Sequence, residues 1–97
     1  MSADMDVADV LDAAADEIRS HGWCRGTHYA GKASCLLGAI ARSCDDEWPA
    51  RVAVCATLGF NKFYPLGDWN DRDERTADEV ITALMEAAAR VRLGEIK

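Results

Sequence analysis

Strong hydrophobic residues are scarce in this chain. Leucine, isoleucine, valine and phenylalanine number nineteen in 97 residues, about a fifth, near the level at which a highly charged chain stays disordered. The core such a chain can build is thin, and its seventeen alanines must supply much of the close packing. Cations are short as well. Eleven Lys and Arg stand against seventeen Asp and Glu, a formal net charge of −6, which argues against a protein that holds duplex nucleic acid by neutralising phosphates. No apolar run approaches the roughly 18 residues of a membrane span, so no membrane association is expected. The first ten residues carry Asp4, Asp6 and Asp9 where a signal peptide needs cations. One cytoplasmic domain over 1–97 is the expectation, its four cysteines free thiols.

Aromatics are absent from both ends. All seven lie between Trp23 and Trp69, and charge is as unevenly spread: −5 over 1–20, +3 over 21–44, −4 over 45–74 and zero over 75–97. Both ends read as helical scaffold. Val7, Val10, Leu11, Ala14 and Ile18 recur at three- and four-residue steps with Asp9, Asp12 and Asp16 opposite, predicting an amphipathic helix over 5–20. Asp4 or Asp6 can cap it and Gly22 can end it. At the other end, Thr76 and Glu79 form a capping box before Val80, Ile81, Leu84, Ala88 and Val91, predicting a helix over 76–92 with Glu86 and Arg90 paired one turn apart. Between them, Cys35 to Ala41 is apolar almost all round, as an enclosed helix is. That helix, 34–43, would start on Ser34 as cap, and Gly38 would let a neighbouring helix come close. A further helix, 47–58, has Asp46 as cap, Pro49 in its first turn and Gly59 as stop. The expected fold is all-α, a compact bundle of about four helices in which the central 34–43 helix is wrapped by the first and last. Two long irregular loops join them, with a short hairpin near 23–33 and Phe60, Phe63, Tyr64, Leu66 and Trp69 packing the other.

Several motifs come close to a known chemistry and miss. Gly26 to Lys32 has the glycine and lysine spacing of a phosphate-binding loop, but Ala33 stands where Ser or Thr should hold magnesium and no apolar strand precedes it. Asp68, Asn70, Asp71, Asp73, Glu74 and Glu79 suggest a calcium loop. Counted from Asp68, Asp73 takes the position that needs glycine, and counted from Asp71, Arg75 takes a ligand position. His21, Cys24, His28 and Cys35 lie within fifteen residues at no zinc spacing. The expectation is therefore no metal, no cofactor and no assigned catalytic residue. A reactive Cys35 near the start of its helix, with His28 or His21 as base, is the sharpest enzyme alternative.

The most specific cluster is Trp69, Asn70 and Asp71. It reads in two ways: as a structural latch between loop and last helix, which is favoured, or, with Trp23, Arg25, His28, Tyr29 and Lys32, as an aromatic and cationic binding patch. These residues also carry a resemblance. Leu11, Ala14, Ala15 and Ile18 leading to Gly22-Trp23, then Cys35 with Gly38-Ala39, Trp69-Asn70-Asp71, and Arg75-Thr76 followed by Glu79-Val80-Ile81, together resemble a family of small uncharacterised proteins from actinobacteria and their phages. The resemblance spans nearly the whole chain and implies a fold and a genomic setting, with no catalytic residue to carry over. A small accessory protein that contacts a host or cellular protein is the leading expectation. A Cys35-centred enzyme and an acidic nucleic-acid mimic built on Asp4, Asp6, Asp9, Asp12 and Asp16 are the alternatives, and a homodimer would cover apolar surface that a thin-cored monomer leaves open.

Overall fold

The computed structural model describes residues 6–96. Five helices and one two-stranded hairpin follow in the order α1 (Val7–His21), β1 (Tyr29–Ala30), β2 (Ala33–Ser34), α2 (Leu36–Ser43), α3 (Trp48–Thr57), α4 (Leu66–Asn70) and α5 (Ala77–Arg92). No helix among the described residues is long and apolar enough to cross a membrane.

α1 starts where Asp6 accepts the amide of Asp9 at 2.9 Å, and stops at Gly22, whose positive φ of 99° suits only glycine. Asp4, the other candidate cap, and residue 5, the expected helix start, lie outside the described residues. The expected face of α1 is the buried one: Val10, Leu11, Ala14, Ala15 and Ile18 point inward. The centre of the molecule is α1 rather than α2. α5 packs along α1 and α3, while α2 packs on α1, the short α4 and β2. The expected wrapping of α2 by the last helix is thus replaced by a fold in which α1 carries α5 on one side and α2 on another. The core joins them through Leu11, Leu36, Ile40, Val54, Leu66, Val80 and Leu84, each essentially inaccessible to solvent.

α5 has its capping box in full, Glu79 N–H donating to Thr76 Oγ1 at 3.2 Å and Thr76 N–H to Glu79 Oε1 at 2.9 Å. The expected Glu86–Arg90 pair is not among its contacts. Arg90 reaches Glu95 instead, just past the helix end at 4.0 Å, and Arg92 ties α5 back to α1 through Asp9 at 3.0 Å and Asp12 at 2.7 Å. α3 runs from Trp48 and ends before Gly59 at φ 81°; Glu47, not the expected Asp46, takes the cap position and makes no side-chain cap bond, while Asp46 Oδ1, one residue further out, accepts the Trp48 amide at 3.2 Å.

Three corrections concern the middle of the chain. Ser34 does not cap α2, because its backbone is already committed to an extended pairing: its N–H donates to the Gly22 carbonyl and its carbonyl accepts from Cys24 N–H, both at 3.1 Å. The cap passes to Cys35, whose Sγ accepts from Gly38 N–H at 3.3 Å, and the Ser34 Oγ is left buried without a hydrogen-bond partner. The close approach at Gly38 is made by the hairpin, not by a helix. A Cβ there would collide with the His28 carbonyl oxygen and lie 3.0 Å from the Tyr29 ring. Finally, the loop over 60–75 holds the one-and-a-half-turn helix α4, too short to show a periodic signal.

Candidate functional site

Asn70 sits at the end of α4 with no solvent exposure. Its side-chain oxygen accepts from Trp23 Nε1 at 2.7 Å and from Leu36 N–H at 3.0 Å, and its amide nitrogen donates to the Cys24 carbonyl at 3.2 Å and to Asp71 Oδ1 at 3.0 Å. The geometry has a clear origin. Gly22 to Cys24 pairs in parallel with Ser34, and the next rung of that ladder would run from Leu36 N–H to the Cys24 carbonyl. Asn70 occupies that rung, one carboxamide serving both strands. Asp71 completes the joint by accepting Gly26 N–H at 2.9 Å.

Two arginines fasten the turn that follows. Arg25 donates to the carbonyls of Arg72 at 2.9 Å, Asp73 at 3.0 Å and Arg75 at 3.3 Å. Arg75 lays its guanidinium 3.9 Å from the centre of the Trp69 ring, itself buried, and donates through Nε to the Trp69 carbonyl at 2.9 Å. Of the three cations in the positive stretch after α1, Arg25 is therefore spent on backbone carbonyls of the turn over 72–75. Trp69 and Asn70 are part of the interior, Trp23 is half-buried, and Arg25 and Asp71 are engaged within the joint. Of the eight expected binding residues, these five form a latch.

His28, Tyr29 and Lys32 remain on the surface of the hairpin, with the His28 ring meeting Tyr29 edge-on at 6.2 Å. The residue that seats this hairpin, Arg42, gave no sequence signal. It lies 4.3 Å from the centre of the Tyr29 ring, donates to the Lys32 carbonyl at 2.7 Å and reaches Glu17 at 3.3 Å.

A second surface was missed altogether. Trp48 is 42% exposed and Phe63 72% exposed, their rings 5.7 Å apart. Beside them an apolar groove of about 460 Å³ runs between α3 and the ends of α1 and α5, lined by Pro49, Val52, Val91 and Ile96, with Lys62 as its charged wall. α3 carries a single charge in ten residues, Arg51, a composition that suits a helix covered on every side. Yet Trp48 and Ala56 are exposed and Val52 is only half-buried between them, one stripe at four-residue spacing. A stripe of this kind is legible in the sequence as an over-apolar helix, but only the fold shows which side lacks a neighbour.

A family model matches residues 2–90 of the chain. The chain belongs to that family of unknown function (DUF6197). No curated protein and no solved structure matches it. Cys35 is buried at the start of α2, and neither imidazole hydrogen-bonds to its sulfur: the His21 ring pairs with Glu17 at 3.0 Å and the His28 ring faces Tyr29. The thiol and base of the enzyme alternative are not assembled. Burial pushes the Cys24, Cys44 and Cys55 thiols up from their ordinary values, with Asp71 and Cys35 adding to the effect at Cys24 and the acids over 45–47 adding to it at Cys44. Among the described residues no three His, Cys, Asp or Glu side chains converge as for a metal ion.

Asp71 moves the other way. The Gly26 amide and then the Asn70 amide hold its carboxyl below the ordinary Asp value. Its contribution to stability is in place above the unfolded value, about pH 4, and is lost as pH falls through the lower folded value. Asp71→Asn is expected to lower stability at pH 7 while converging with the parent at pH 2, a difference that urea titrations at the two pH values read directly.

Proposed function

We propose that this DUF6197 chain is a small cytoplasmic accessory protein of an actinobacterium or one of its phages, acting by protein–protein contact. Its first contact is with a second copy of itself, through the Trp48–Phe63 face. The observation that carries this reading is the exposed, paired aromatics on a helix too apolar for solvent, since exposed aromatic clusters beside a groove are where interface energy concentrates.

The charges around the face favour a second copy as occupant. The Lys62 ammonium lies 5.4 Å from the centre of the Phe63 ring, and among the described residues it pairs with no carboxylate. Asp45, Asp46 and Glu47, immediately before Trp48, pair with no cation either. A face with a cation on one flank and anions on the other matches its own image under a two-fold rotation, which sets each lysine against the partner's acids.

Sedimentation analysis tests this. The parent chain is expected to show a concentration-dependent shift to twice its 10.6 kDa mass at micromolar to millimolar protein. Phe63→Asp and Lys62→Glu are expected to hold it monomeric without loss of fold, both sites being on the surface. A parent chain that stays monomeric throughout, or a dimer indifferent to Phe63→Asp, would overturn the reading.

A further inference from the structure

We propose that Cys24 and Cys35 are a disulfide-forming pair, a modification site at which a small-molecule disulfide such as oxidised glutathione links the hairpin loop to the start of α2. The register supports it. Trp23 and Ser34 are paired in parallel, with Ser34 N–H on the Gly22 carbonyl and Cys24 N–H on the Ser34 carbonyl, so the next residues in step are Cys24 and Cys35. Neighbouring strands lie about 4.8 Å apart, within the roughly 4.4–6.8 Å between Cα atoms that a disulfide spans. Because side chains alternate along extended chain, Cys24 and Cys35 share the face opposite Trp23 and Ser34. Both residues also meet the His28 carbonyl, which accepts from the Cys35 backbone N–H at 3.0 Å and lies 3.8 Å from Cys24 Sγ.

The carboxamide of Asn70 separates the strands at the following rung, so the pair stands where the ladder begins to open and both sulfurs remain thiols. Cys44 and Cys55 lie on other elements, their sulfurs directed to carbonyls at the end of α2 and in the 62–64 loop.

The chemistry balances as two thiol–disulfide exchanges. Cys24, the more accessible, loses its proton and attacks one sulfur of oxidised glutathione, forming a mixed disulfide and releasing one glutathione thiolate. Cys35 then loses its proton and attacks the Cys24 sulfur, forming the Cys24–Cys35 bond and releasing the second glutathione. Two protein thiols are oxidised and one glutathione disulfide is reduced to two thiols.

The test is a thiol count and peptide map of the full folded chain after oxidised glutathione, quenched by alkylation. The expected result is loss of two of the four thiols, with the tryptic peptide over 20–25 joined to that over 33–42. Cys35→Ser, which keeps an oxygen to cap α2, is expected to stop at the glutathione adduct on Cys24. Four thiols retained by the parent chain, a lasting adduct on its Cys24, or a link to Cys44 or Cys55 would overturn the proposal.

Discussion

Replacing Asn70 with alanine is expected to bring the protein close to unfolding. The substitution strips partners from Leu36 N–H, Trp23 Nε1 and the Cys24 carbonyl together, the first of them fully enclosed. An enclosed polar group without a partner costs about 1–3 kcal/mol, and three at one joint bring the loss to about 3–5 kcal/mol with part-exposed Trp23 counted low. Against the roughly 5–15 kcal/mol that holds a domain of this size, that is a large fraction of the total. Urea denaturation followed by tryptophan fluorescence measures it, since Trp23 and Trp69 both lie at the joint. Asn70→Asp separates the two halves of the carboxamide. It keeps an acceptor for Leu36 and Trp23 but loses the donor to Cys24 and sets a second carboxylate against Asp71. Its deficit is expected to shrink as pH falls and the new carboxyl takes up a proton that can face the Cys24 carbonyl.

Gly38→Ala is the second large effect, and its sign runs against helix propensity. Inside an exposed helix the change would stabilise by about 0.8–1.0 kcal/mol. Here the added methyl meets the His28 carbonyl and the Tyr29 ring, so the hairpin must lift from α2. Lifting it breaks the Cys35 N–H bond to His28 and loosens the Arg42 stack on Tyr29, for a net loss of about 1–3 kcal/mol. Hydrogen exchange of the Cys35 amide is the most direct readout. Faster exchange there, with α1 and α5 amides unchanged at low denaturant, is the expected pattern.

Helices α1 and α5 were legible because each carries a long apolar period and a capping side chain in the sequence, Asp6 and Thr76, and α3 through Pro49 in its first turn and Gly59 after its end. α2 was legible as apolar but misplaced at its start, since only the parallel pairing of Ser34 moves the cap to Cys35. A hairpin was expected near 23–33 and is present, its strands at Tyr29–Ala30 and Ala33–Ser34, whereas α4 is too short for periodicity. For the candidate site, Trp69, Asn70 and Asp71 were visible as a specific cluster, and Asn70 and Asp71 make the internal bonds that the latch reading expects. The Trp48–Phe63 face was not visible. Phe63 stands in a run with Phe60 and Tyr64, and those two stack on each other, ring centres 3.8 Å apart, leaving Phe63 turned out. Sequence places aromatics near one another but does not say which of three faces inward.

The most extensive packing in the molecule joins α1 to α5, the first helix to the last. During synthesis, then, the apolar side of α1 leaves the ribosome long before its mate does. Until Val80, Leu84 and Ala88 emerge, Leu11 and Ala14 have only α2 and α3 among the helices to pack against. A chain cut before α5 is expected to leave the buried side of α1 without its most extensive neighbour.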